Sequence, residues 1–133
     1  MTKAIDHLVV VVPDLNTAIK NYTELGFTVT PGGKHPIGSH NALIAFADGS
    51  YIELIAFTAQ DSPHPWNLLL RKNAGLIDFC MQADDFSDTV ESFRKAGVEM
   101  SEPFPLSREH PDGYTLRWTL STPQPPGTAS FRS

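Results

Sequence analysis

Residues 14–26 read DLNTAIKNYTELG, and residues 85–97 read DFSDTVESFRKAG. Each segment opens on an Asp, whose short carboxylate suits a helix N-cap. Each closes on a Gly, which readily takes the left-handed turn after a helix. Leu15, Ala18, Ile19, Tyr22 and Leu25 form an apolar stripe at helical spacing in the first segment, and Phe86, Val90 and Phe93 form one in the second. Both caps and both glycines are offset by 71 positions, 85 minus 14 and 97 minus 26. A strand-like run precedes each helix, at 5–12 (ended by Pro13) and 76–83, and another follows, at 27–30 and 98–100. Caps, stripes, terminators and flanking strands that match at one offset define a duplicated unit.

The first unit continues with HNALIAF (40–46) and YIELIAF (51–57), joined through ADGS (47–50). Asp-Gly between alternating runs predicts a two-residue hairpin turn. Unit one is thus strand, helix, strand, strand, strand over about 4–57. A linker over about 58–74 follows, carrying TAQDSPHP and a short helix over 66–72 that serves as a connector or a lid. Unit two covers about 75–120, with its last strand at 114–120. Beyond it, STPQPPGTASFRS (121–133) holds three prolines, a composition barred from a central strand. The expected fold class is α+β. Paired βαβββ units form an open, cup-shaped mixed sheet, the second unit lacks its last strand, and a Pro-rich tail closes a single domain, 1–133.

A chain of 133 residues with 41% hydrophobic and 19% charged residues is long enough for one core. Net charge is −5 and the ten Lys and Arg residues are scattered, which argues against nucleic acid as a partner. Cys80 is the sole cysteine, so no intrachain disulfide forms, and a reducing cytoplasm fits. The apolar run at 8–12 is too short for a signal core or a membrane span, so no membrane partner is expected.

His7 stands among Ile5, Val9 and Val11, residues of its own parity, so all four leave the strand on one side. Such a histidine is either satisfied by a backbone carbonyl or aimed as a ligand into a cavity. With Asp48 and Gly49 as the turn, Phe46 opposes Tyr51, Ile44 opposes Glu53 and His40 opposes Phe57. Tyr51, Glu53 and Ile55 then share a face with Phe46, Ile44, Ala42 and His40, while Ile52, Leu54 and Ala56 suit packing beneath a helix. A half-buried Glu53 needs a cation or a partner, and a salt bridge to Arg117 is the alternative. The offset carries His7 to Asp78, on a face with Cys80 and Gln82, unless Asp78 is an edge residue in solvent. Cys80 reads as a small apolar filler. His, Glu and Asp on strands make a nitrogen and oxygen site for Mn, Fe, Ni or Zn. Neither H-E-x-x-H nor C-x-x-C is present, and PGGK (31–34) lacks the rest of a phosphate-binding loop.

The paired units, together with DHLVVVVPDL (6–15), LGFTVTPGGKHPIGSHNALIAF (25–46) and GSYIELIAF (49–57), resemble the vicinal oxygen chelate superfamily, and more narrowly its glyoxalase-like domain proteins. That superfamily includes glyoxalase I, extradiol dioxygenases, methylmalonyl-CoA epimerase and the fosfomycin and bleomycin resistance proteins. The resemblance implies an eight-stranded cup with metal ligands on the first and fourth strands of each unit. It supports His7 and Glu53 as ligands and favours Asp78 by position, where Glu or His is usual. It further implies a metal-dependent lyase, isomerase or dioxygenase acting on a small substrate with vicinal oxygens. In that reading Glu53 and His40 are the catalytic residues. His40 is a substrate contact or proton shuttle, its alternative being a solvated histidine at a strand start. Tyr51, Phe46, Phe57 and Arg117 would contact substrate. The rival is a metal-free protein that binds or sequesters a small molecule. The absent last strand leaves the strand at 76–83 short of a neighbour. A homodimer is therefore expected, with the tail folding back as the alternative.

Overall fold

The computed structural model describes residues 2–35, 38–72, 75–110, 112–124 and 130–132. The first unit contributes β1 (Thr2–Val11), α1 (Leu15–Glu24), β2 (Thr30–His35), β3 (Ser39–Ala45) and β4 (Tyr51–Phe57). A short α2 (Pro65–Leu70) follows. The second unit contributes β5 (Leu76–Ala83), α3 (Phe86–Lys95), β6 (Phe104–Glu109), β7 (Thr115–Ser121) and β8 (Ser130–Arg132). No helix among the described residues is long and apolar enough to cross a membrane.

The repeat holds at atomic detail. The Asp14 carboxylate accepts the Thr17 N–H at 2.7 Å, and the Asp85 carboxylate accepts the Asp88 N–H at 3.0 Å. Both α1 and α3 run ten residues, and Gly26 and Gly97 follow them at φ 102° and 89°. The strands form one eight-stranded mixed sheet in the order β2-β3-β4-β1-β5-β8-β7-β6. β1 runs parallel to β4 and antiparallel to β5. At that central seam His7 opposes Cys80 and Val9 opposes Asp78. A shift of 71 maps His7 onto Asp78 and Val9 onto Cys80, so the two pairs exchange under the internal twofold. The outermost strands, β2 and β6, approach each other and curl the sheet into a cup.

Three expectations change. The second unit does have a last strand: β8 lies between β5 and β7, parallel to the first and antiparallel to the second. Its residues follow the last of the prolines and keep every N–H, so the bar on proline in a central strand does not reach them. β5 therefore has neighbours on both sides, and the gap that argued for a second chain is filled. The run at 98–100 is no strand beyond one bridge from Met100 to Pro123, and 27–29 precedes β2 without joining it.

The third change is a register. The turn between β3 and β4 has three residues, not two. Ser50 O accepts the Phe46 N–H at 2.9 Å, and Gly49 N–H donates back to Phe46 O at 3.1 Å. Gly49 closes this loop at φ 90°, a conformation that disfavours any other residue. Asp48 secures it by accepting from the Ser50 N–H and hydroxyl. The pairs become Ala45 with Tyr51, Leu43 with Glu53 and His40 with Ala56. A one-residue slip turns every side chain of β3 to the other face.

The consequence is visible in the core. Ala42, Ile44, Leu54 and Ala56 lie buried with Leu15 and Ala18 beneath α1. Val90 and Met100 form the matching cluster under α3, joined by Met81, Phe86 and Phe93. On the inner face of the cup, Val9, Val11 and Ile55 are covered by Trp66 and Leu70 of α2. His64 caps α2 by accepting the Trp66 N–H at 3.2 Å, and buried Asn67 ties the linker down through Gln60 O and Ser62 O. The linker helix thus packs across one end of the cup.

Candidate metal centre in the cup

His7 and Glu53 meet on the inner face. β1 and β4 lie in parallel register with His7 beside Tyr51 and Val9 beside Glu53. The His7 ring stacks on Tyr51 at 4.6 Å and 14°. Its Nε2 stands 3.6 Å from Glu53 Oε2, and both side chains are largely withdrawn from solvent. That gap is too long for a hydrogen bond, yet it lets both atoms bind one ion at ligand distances of about 2.0–2.2 Å.

The other ring nitrogen is committed. His7 Nδ1 lies 2.7 Å from an Asp6 carboxylate oxygen, an acceptor for an Nδ1 proton, so that a neutral ring held this way presents its Nε2 lone pair toward Glu53. A carboxylate behind the distal nitrogen is the usual support of a metal-bound histidine. Asp6 reaches it because the β1–β5 register shifts between Ile5 and His7, and such a bulge re-aims a side chain. Asp6, His7 and Cys80 also place ligand atoms within 4.8 Å of one another. His7 and Glu53 thus offer one nitrogen and one oxygen donor to a divalent cation.

Glu53 is held from its second oxygen. Asn41 Nδ2 donates to Oε1 at 3.2 Å, while Asn41 Oδ1 accepts the Gly33 N–H at 2.9 Å. Asn41 is buried, and a Cβ on Gly32 would collide with its Oδ1. The glycines of PGGK thus let β2 press against Asn41. Asp78 stands opposite Val9, half-buried on the same face. Burial pushes its carboxyl pKa up. The Phe79 N–H at 2.8 Å, a hydrogen bond from Trp66 and the nearby His7 pull it down.

The remaining sequence candidates divide. Phe57 shares the inner face with Glu53 and packs against His64 at 5.1 Å, with Trp66 beyond at 5.1 Å from the same imidazole. Phe46 and His40 do not share it, because the three-residue turn sends them to the α1 side. There the Thr17 hydrogen bonds hold the carboxyl of Asp14, the cap of α1, below the ordinary carboxylate range, and His40 adds to this. Arg117 pairs with Ser107 across the β6–β7 hairpin and lines a shallow cavity of about 460 Å³ with Pro105, Leu106, Trp118 and Thr119. None of the cup residues lines that cavity. The partners of Glu53 are Asn41 and His7, so the alternative of an Arg117 salt bridge is set aside.

In the place expected for His40, the histidine that faces the cup is His35. It opposes Ser39, which opposes Phe57, so these three side chains share the face of Glu53. Its Nδ1 lies 2.7 Å from the hydroxyl of fully buried Ser39. Burial holds the imidazole below the ordinary histidine pKa; Glu53 opposes this, and Arg108 and His40 add to it. Sequence reasoning missed Asp6, His35, Asn41 and Arg108. The D-H pair and the PGGK glycines are in plain sight, but only the bulge and the register make them neighbours of the site.

The chain belongs to the glyoxalase-like domain family, whose model matches residues 5–131. Its architecture is that of the vicinal oxygen chelate fold. A hypothetical protein from Staphylococcus aureus superposes with a TM-score of 0.78 at 15% identity, over 97% of this chain and 57% of that one. Methylmalonyl-CoA epimerase from Mycobacterium tuberculosis gives 0.73 at 20% identity, over 98% and 87%. The Streptomyces coelicolor methylmalonyl-CoA epimerase in complex with 2-nitronate-propionyl-CoA gives 0.71 at 20% identity, over 99% and 97%. At these identities the likeness establishes the fold. No curated protein matches.

Proposed function

We propose that this protein is a divalent-metal-dependent enzyme of isomerase type that acts on a small substrate with two adjacent oxygens. The carrying observation is the convergence of His7 Nε2 and Glu53 Oε2 at 3.6 Å, with Asp6 fixing the His7 tautomer. His7 and Glu53 would hold Mn, Fe, Ni or Zn, with Asp78, the second carboxylate, as a third candidate ligand. A cation so held supplies Lewis-acid polarisation of the substrate oxygens. The chain's own part is positioning. Asn41 keeps Glu53 from swinging away, Tyr51 stacks on the ligand ring, and Phe57, His64 and Trp66 wall the cup against water. The epimerase neighbours support an isomerase over a lyase or dioxygenase.

The test combines two readouts on the full chain. Metal analysis after purification without chelator should find about one equivalent, or restore it with one of the four metals. Methylmalonyl-CoA in deuterium oxide should exchange its α-hydrogen faster with the loaded protein than with His7→Ala. A chain that takes up none of the four metals and speeds no exchange would overturn the reading. The aromatic wall would then favour a metal-free binder of small apolar molecules. Self-association as a homodimer belongs to the same proposal. Its support is apolar side chains left in solvent on the central strand, Leu76 at 63% and Phe79 at 38%.

A further inference from the structure

We propose that Arg108 and His35 form a subsite for an anionic group of the substrate where β2 and β6 meet at the mouth of the cup. It rests on the proposed function for the identity of the ligand as a substrate, but not for the existence of the binding site. Arg108 lies on β6 and is half-buried. Among the described residues its guanidinium makes no hydrogen bond or ion pair. A cation drawn from water without a partner costs stability, and its planar fork of donors matches a carboxylate or phosphate. Arg108 leaves the hairpin on the face opposite to that of Arg117, since it pairs with Leu116 while Arg117 pairs with Ser107.

His35 stands across the gap on β2, which contacts β6. Its ring is oriented by Ser39 and sits in the field of Arg108. The charged groups acting on it from the inner face are Glu53 on β4 and Arg108 on β6, with His40 of β3 behind it on the α1 side. Glu53, the one anion of the set, is engaged by Asn41. An incoming anion would therefore meet a permanent cation on one wall. On the other it would meet the His35 imidazole, whose Nδ1 is held by the Ser39 hydroxyl. The substrate class is narrowed to one whose vicinal oxygens are accompanied by a carboxylate or a phosphate group.

Succinate and inorganic phosphate are titrated into the full chain without added metal. His35 ring resonances are followed by NMR, assigned by their loss in His35→Gln. At least one anion should shift them in the wild-type chain. Succinate as the stronger ligand identifies a carboxylate, and phosphate as the stronger a phosphate ester; both support the subsite. Arg108→Gln should weaken the bound anion by about tenfold or more, the scale of one lost charge pair, with Arg108→Lys in between. Metal uptake by Arg108→Gln should match wild type, which separates this subsite from the metal centre. A wild-type chain that takes no metal but still binds the anion would sink the enzyme reading and leave the subsite standing. Resonances unmoved by either anion, or equal affinity in Arg108→Gln, would overturn the subsite.

Discussion

Glu53 and His7 are each gripped from behind, Glu53 by Asn41 and His7 by Asp6, and the open sides of the two groups face each other. Asp6→Asn should keep the fold and cost metal affinity about 10–100-fold, the usual effect of losing a carboxylate behind a ligand histidine; competition with a chromogenic chelator measures it. Glu53→Gln retains the Asn41 contact and removes the charge. Metal affinity should fall while the melting temperature of the metal-free protein holds or rises, because a half-buried carboxylate without its cation is a liability. A lower melting temperature would point to a structural role instead. The titrating groups have opposite signs. Burial holds His35 and His64 below the ordinary value of 6.5, so beneath that pH the unfolded chain binds more protons. The stability they allow is complete above it and is lost as pH falls through the window down to their folded values. Asp78 is raised above 3.8, so the folded chain holds the extra proton and stability falls as pH rises through that window. Denaturant titrations at about pH 5 and about pH 7.5 should show a smaller acid-side loss in His35→Gln than in wild type. An unchanged difference would exclude His35 as a source.

At the scale of elements, the β3–β4 hairpin decides which residues see the cup. Its inner face carries Ser39, Asn41 and Leu43 opposite Phe57, Ile55 and Glu53, and its outer face carries Ala42 and Ile44 under α1. Leu54 is wholly buried in that outer cluster, and Leu54→Ala should cost about 2–5 kcal/mol. Gly32→Ala acts on the inner face: its new Cβ collides with Asn41, so either β2 lifts or Asn41 releases Glu53. Stability and metal affinity should fall together, whereas Leu54→Ala should lower stability and leave the affinity of the folded fraction intact. Calorimetry and metal titration of the two variants side by side test that split. Equal metal affinity in Gly32→Ala and wild type would remove Asn41 from the support of the site.

The whole molecule is a sheet closed in its middle by its last three described residues. β8 joins the mixed five-stranded array β2-β3-β4-β1-β5 to the β6–β7 hairpin by filling the place between β5 and β7. A chain ending at residue 124 would leave β5 and β7 with unpaired N–H and C=O groups. It should melt at lower temperature and associate more strongly than the full chain. Light scattering of both forms at equal concentration measures this; identical mass and melting temperature would mean β8 adds little.

The duplication, the two capped helices and the presence of β1 and β4 as the strands bearing His7 and Glu53 were legible in the sequence. Their signals are local: an Asp cap, a terminal Gly, a periodicity within a dozen residues. Polarity at the seam was legible too, since the offset of 71 led from His7 to Asp78 and the register of β1 with β5 obeys it. Position across strands was not. Asp-Gly suits a two-residue turn and also the end of a three-residue one. Choosing between them depends on which face of β3 packs under α1, a matter of burial between distant segments. That choice exchanged His40 for His35 on the inner face. The bulge that brings Asp6 to His7 belongs to pairing with β5, more than seventy residues away along the chain. β8 is too short to be read from propensity, and it exists because two strands already in place offer it both sets of hydrogen-bond partners.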